Sequence, residues 1–158
     1  MTSFLASLWR KLPHSKKLQL FIMRVFQDEF LIGVTGIIFN DKDEVLLCKH
    51  TYRKPEWSLP GGYMKAKEHP SEAVEREIKE ETGLVVSADY EMRVRTDRDV
   101  ARLDMCFIGT YIGGEFTPSE EVTEVGFFSF EAVPLISQNQ LLFIKQALEE
   151  KYLQSKKA

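Results

Sequence analysis

Between Leu59 and Leu84 the chain reads LPGGYMKAKEHPSEAVEREIKEETGL, and Glu68, Glu72, Glu75, Glu77, Glu80 and Glu81 fall within fourteen of those positions. Carboxylates crowded on a helix repel one another. The cost is roughly a few tenths of a kcal/mol per exposed pair and more where water is excluded. Something positive therefore belongs in this stretch. With 3.6 residues per turn, Glu81 lies at about +40° from Glu77 and Glu80 at about -60°, so the three share one arc. Val74 and Ile78 border that arc at about +60° and +100°, which sets the acids near the protein wall and away from bulk water. An all-oxygen cluster suits hard cations such as Mg²⁺ or Mn²⁺. Gly61 and Gly62, just upstream, let a backbone carbonyl approach a bound ion or ligand because no side chain blocks it. The plainer readings are a solvated acidic face paired with Arg76 and Lys79, and a simple turn at Pro60-Gly61-Gly62. Against the first, one arginine cannot balance the group.

The elements that must position these residues follow from pattern. Residues 70–82 are predicted helical, with Pro70 suited to the first turn and Gly83 to the left-handed position past the end. Strands are predicted in FLIGVTGIIFN (30–40) and EVLLCKH (44–50), joined as a hairpin by NDKD, and in a short WSLP (57–60) segment. Long strands are predicted over 84–96 and 101–113, another over 124–130, and a closing helix over 138–153. Strands, a helix, more strands and a last helix predict an α+β or αβα sandwich with a mixed sheet. Residues 1–28 read as an N-terminal helical extension broken near Pro13, residues 29–153 as the main domain and 154–158 as a tail. The extension sets Arg10, Lys11, Lys16, Lys17 and Arg24 beside apolar residues. Such a basic amphipathic helix can lie on a membrane or a partner, but packing on the domain is the preferred reading.

Composition narrows the classes. A chain of 158 residues, 44% hydrophobic and 28% charged, suits one folded domain with a real core. A net charge of -3 gives no reason to expect a nucleic-acid binder. Cys48 and Cys106 fit neither a metal-ligand spacing nor a disulfide framework, and both are expected buried in a reducing compartment. No signal peptide and no membrane-spanning run is apparent, so a cytoplasmic protein is expected. His14, His50 and His69 show no ligand spacing and are assigned no chemistry.

Gly62, five residues, Glu68, seven residues, and then Arg76, Glu77, Ile78, Lys79, Glu80, Glu81, Thr82, Gly83 and Leu84 resemble the signature of the Nudix hydrolases at every specified position. The flanks, WSLPGG before and EEVTEVGFFSFEAVP (120–134) after, are also similar to the family, although the family tends to have Trp where Phe127 stands. The wider likeness covers roughly residues 30 to 150.

The resemblance implies a Nudix-type αβα sandwich and a metal-dependent hydrolase that cleaves the diphosphate bond of a nucleoside diphosphate linked to another group. Mg²⁺ is the implied cofactor, with Mn²⁺ an alternative. It makes Glu77, Glu80 and Glu81 metal ligands, with a carbonyl of Gly61 or Gly62 completing the shell. Glu77 becomes the candidate general base, Arg76 the residue that holds a carboxylate in place, and Glu68 a supporting group acting through water or Arg76. A further acid after the box joins the metal in some members, and Glu121 and Glu124 are the candidates. Arg53 and Tyr52, in the loop before Trp57, and Arg93 and Arg95, on one face of a strand, are candidate substrate contacts; solvated charge is the plainer reading of the two strand arginines. The leading substrate reading is a (d)NTP or a modified nucleotide, followed by ADP-ribose or a nucleotide sugar. A non-catalytic nucleotide-binding module and RNA 5′-end pyrophosphate removal are the alternatives of other kinds. The motifs that mark coenzyme A, NADH, ADP-ribose and dinucleoside polyphosphate subgroups are not seen. The expected partner is a small nucleotide, not a nucleic acid, and a homodimer is compatible with the family.

Overall fold

A mixed sheet of seven strands carries the fold. The computed structural model describes residues 16–26, 29–97 and 99–156. The chain divides into two units, Met1–Phe30 and Leu31–Ala158. The first contains helix α1, Lys16–Phe26, which carries Lys16, Lys17 and Arg24 among its apolar residues. The break expected near Pro13 lies outside the described residues.

In the second unit, β1 (Leu31–Phe39), β2 (Val45–His50), β3 (Trp57–Ser58) and β4 (Gly61–Tyr63) lead to helix α2 (Pro70–Thr82). Strands β5 (Val85–Asp97), β6 (Arg102–Gly113) and β7 (Val122–Phe128) follow, then a short 3-10 turn and helix α3 (Gln138–Ser155). The strand order is β3-β2-β1-β6-β5, with β4 also pairing β1 and β7 pairing β2. The β1–β6 pair is parallel and the other pairs are antiparallel.

Alternation along the central strands makes two cores. Ile37, Phe39, Val45 and Leu47 join Phe143, Ile144 and Ala147 of α3 on one face. Val34, Ile38 and Leu46 join Ala73, Val74 and Ile78 of α2 on the other. A strand buried on both faces is mostly apolar along its length, which explains the GVTGIIF run, where Thr35 is the one polar side chain and is half-buried. The α+β sandwich expected from the sequence is the observed architecture, with a helix on each side of the sheet. Among the described residues, no helix is long and apolar enough to cross a membrane.

Helix α2 begins and ends where local chemistry dictates. Pro70 opens it, and the backbone N–H of His69 donates to Glu72 Oε2 at 2.7 Å, which joins cap and first turn. Gly83 closes it at φ 77°, its N–H donating to Lys79 O at 2.9 Å. One expected detail changes. Pro60-Gly61-Gly62 is not just a turn, because Gly61–Tyr63 forms β4 against β1, with Gly62 opposite Val34. A Cβ on Gly61 would stand 2.1 Å from Val34 O, so glycine is what lets this strand close.

Candidate active site

Helix α2 presents its acidic arc to β4. A Cβ on Gly62 would sit 2.4 Å from the carboxyl carbon of Glu77, so the glycine makes room for that carboxylate. Arg76 organises the group. Its Nε and Nη2 donate to the two oxygens of Glu68 at 2.9 and 2.8 Å, and Nη2 also donates to Tyr63 O at 3.0 Å. Its Nη1 lies 2.7 Å from Glu77 Oε1 and 3.0 Å from Glu80 Oε2. The arginine thus ties α2 to β4 and the loop after it. Glu68 supports the site directly through Arg76, one of the two routes anticipated. Hydrogen bonds from Arg76, with one from the Lys65 backbone, hold the Glu68 carboxyl down to about 2. Hydrogen bonds from Lys65 and Arg76 also keep Glu80 below the usual carboxylate range.

Glu81 differs from its neighbours. Its Oε2 is buried and has no hydrogen-bond partner. Burial first, then repulsion from Glu121 and Glu77, pushes its carboxyl up to about 7. Glu121 takes a hydrogen bond from Tyr52 Oη at 3.0 Å, and Arg53 donates to the same hydroxyl at 3.2 Å. The structure therefore brings Tyr52, Arg53 and Glu121 to the edge of the acidic arc. It separates the two post-box candidates, since Glu124 is paired with Lys49 at 2.7 Å.

Among the described residues, no three His, Cys, Asp or Glu side chains are gathered tightly enough to grip one ion as they stand. Arg76 stands among Glu68, Glu77 and Glu80, and Lys65 Nζ lies 3.2 Å from Glu80 Oε2. The donor set nevertheless fits a hard divalent cation. Glu81 is an unpartnered buried oxygen facing like charges, and a positive ion would relieve both the desolvation and the repulsion.

Beside Gly61 and Gly62 opens a cavity of about 210 Å³, lined among others by Arg53, Arg95, Arg102, Asp104, Gln140 and Phe143. Arg95 is in it. Arg93 is not among its lining residues, but both guanidiniums lie over the Phe143 ring, at 5.4 Å for Arg93 and 5.7 Å for Arg95. The solvated reading of these two arginines is therefore incomplete. Trp57 packs edge-on to Phe128 at 5.2 Å. His50 is 2% exposed with both ring nitrogens unpartnered, and burial, then Arg53, drives its pKa down to about 4. Cys48 and Cys106 are buried and free, as expected. Asp104, Arg102 and Gln140 escaped the sequence reading. An aspartate in the otherwise apolar run LDMCFIG was the signal available for the first.

Comparison with known proteins agrees with this geometry. A family model described as NUDIX domain matches residues 29–148. An ADP-ribose pyrophosphatase of Methanocaldococcus jannaschii is 34% identical over 126 residues, which is 76% of this chain and 74% of that protein. An 8-oxo-dGDP phosphatase of Mus musculus is 31% identical over 90 residues, 56% of this chain but 28% of that protein. The crystal structure of an ADP-ribose pyrophosphatase from Streptococcus suis superposes with a TM-score of 0.64 at 27% identity, covering 75% of this chain and 92% of that one. A complete box folded as a glycine-edged acidic helix, a family match over most of the chain and a relative at this identity lead to one assignment: the chain belongs to the Nudix hydrolase family.

Proposed function

We propose that this protein hydrolyses the diphosphate bond of a nucleoside diphosphate linked to a further group, with a divalent cation held by Glu77, Glu80, Glu81 and Glu121 and a carbonyl of Gly61 or Gly62. The observation that carries the proposal is Glu81, a buried carboxylate oxygen without a partner among acids of like charge. Mg²⁺, or Mn²⁺ in its place, would neutralise the phosphates and lower the pKa of a bound water. Glu77 is the proton acceptor, since Arg76 engages Oε1 and leaves Oε2 facing Gly62. Arg76 orients Glu77 and Glu80, and Glu68 holds Arg76. In the reaction a water oxygen bonds to phosphorus, one P–O–P linkage breaks, and the water's proton passes to Glu77.

For the substrate, a (d)NTP or modified nucleotide is the leading reading, a triphosphate yielding a nucleoside monophosphate and inorganic diphosphate. ADP-ribose or a nucleotide sugar is the second, favoured by the name of the Methanocaldococcus relative. Purified protein incubated with both classes, with and without Mg²⁺, tests the reaction. Metal-dependent release of a nucleoside monophosphate is expected. Glu80→Gln and Glu81→Gln are each expected to keep the fold and lower kcat by about 100-fold or more, the scale of losing a charge that stabilises a transition state. Near wild-type kcat in either variant at limiting Mg²⁺ would overturn the ligand assignment. Absence of turnover would leave a nucleotide-binding module.

A further inference from the structure

Asp104 is 1% exposed on β6, a position where a lone carboxylate is costly. Two guanidiniums hold it. Arg95, directly across the β5–β6 ladder, donates from Nη2 to Oδ2 at 3.0 Å. Arg102, two residues earlier on the same strand, donates from Nε to Oδ1 at 2.7 Å. Room for this pair comes from Gly33 on β1, where a Cβ would stand 2.2 Å from Asp104 Oδ1 and 2.7 Å from Arg102 Nε. The arrangement is thus written into three strands.

It also leaves positive charge over. Both oxygens of Asp104 are engaged, yet the same cavity is lined by three guanidiniums, those of Arg53, Arg95 and Arg102. Among the described residues, Arg53 donates to neutral hydroxyls, Ser58 Oγ at 3.4 Å and Tyr52 Oη at 3.2 Å, and Glu81 is its acidic neighbour. Arg95 Nε is buried with no acceptor. Ser137, the N-cap of α3, is a further lining residue, and no acid lies in that helix's first turn. Arg95 and Arg102 share the single carboxylate of Asp104, and planar guanidiniums match phosphate oxygens. At about 210 Å³ the cavity is smaller than a typical pocket for a whole ligand of drug size. It suits a fragment. Gly61 and Gly62 line it, and Gly62 abuts Glu77, so the cavity adjoins the acidic arc.

We propose that Arg53, Arg95 and Arg102 form an anion subsite that receives the phosphate following the scissile diphosphate, with Asp104 as the positioning residue. The chain then favours nucleoside triphosphates over nucleotides ending in an uncharged sugar. This rests on the diphosphate hydrolase reading above.

The test compares kcat/KM, in Mg²⁺, for pairs that share a nucleobase: ATP with ADP-ribose, UTP with UDP-glucose, GTP with GDP-mannose. The wild type is expected to favour the triphosphate. Arg102→Gln and Asp104→Asn are expected to lower that preference by about 10- to 100-fold, the range for losing one charge-assisted contact, through KM on the triphosphate. Asp104→Glu is expected to recover part of it. Gly33→Ala changes no charge but crowds the pair, and is expected to lower the preference too. A wild type that prefers the uncharged partner, or variants that weaken both members of a pair equally, would overturn the subsite while leaving the hydrolase intact. If no pair is turned over, the hydrolase reading fails, and calorimetry with inorganic tripolyphosphate and Mg²⁺ decides the subsite. Weaker binding by Arg102→Gln supports it, and equal binding overturns it.

Discussion

Glu81 couples proton and fold in one side chain, and under the proposed function it also meets the metal. Its carboxyl is raised from 4.5 to about 7 by burial and by Glu121 and Glu77. Between those values the metal-free folded state binds a proton that the unfolded chain has released. Stability from this group therefore falls as pH rises through that window. His50 works in the opposite sense. With a pKa lowered from 6.5 to about 4, it removes stability as pH falls through that range. Glu68, held near 2, loses its contribution only as pH falls from 4.5 toward 2. Comparing wild type with Glu81→Gln cancels the last two. In the presence of a chelator, the Tm of the variant minus that of the wild type is expected to grow from pH 5 to pH 8, and Mg²⁺ at pH 8 should raise only the wild type strongly. A flat difference across that range would refute the buried, charge-crowded placement of Glu81. The arc of Glu77, Glu80 and Glu81 was legible in the sequence because helical spacing fixes which residues are neighbours. The pairing that sets Glu124 apart from Glu121 was not, since Lys49 reaches Glu124 across the β2–β7 ladder. Asp104 was missed because its partners lie on β5 and β6, and only strand register brings Arg95 opposite it.

Elements with strong end signals were read well, and those defined by close contact were not. Helix α2 spans the predicted residues because Pro70 and Gly83 each have a backbone reason to stand there. The three residues of β4 are too few for periodicity to show, and their pairing depends on the closeness of Val34 O to Gly61. The position of Gly83 makes a direct prediction. Its φ of 77° is left-handed, and a Cβ there would stand 2.7 Å from Glu115 O in the segment between β6 and β7. Gly83→Ala thus adds a strained backbone and a contact with backbone that cannot swing aside. The expected destabilisation is about 2 kcal/mol, combining the cost of the left-handed conformation with the clash. Denaturant unfolding should show a lower midpoint at unchanged slope. An unchanged midpoint would mean that the end of α2 is not pinned as described.

At the scale of the whole molecule, both cores are drawn from residues 34 to 148, and the family match spans residues 29–148. Among the described residues, the layers that hold the acidic arc against β4 are built within that span. Helix α1 is amphipathic and basic, with Lys16, Lys17 and Arg24. A chain lacking residues 1–28 is accordingly expected to fold and to keep metal-dependent turnover. Its Tm should change by less than about 3 °C, the shift that roughly 1 kcal/mol produces in a domain of this size. Thermal unfolding with and without Mg²⁺, set beside kcat for both chains, makes the comparison. If stability holds while KM alone rises, the extension takes part in holding substrate. If Tm falls beyond that margin, the two core clusters are not sufficient for the fold, and the boundary between the N-terminal extension and the catalytic domain must be drawn before residue 28.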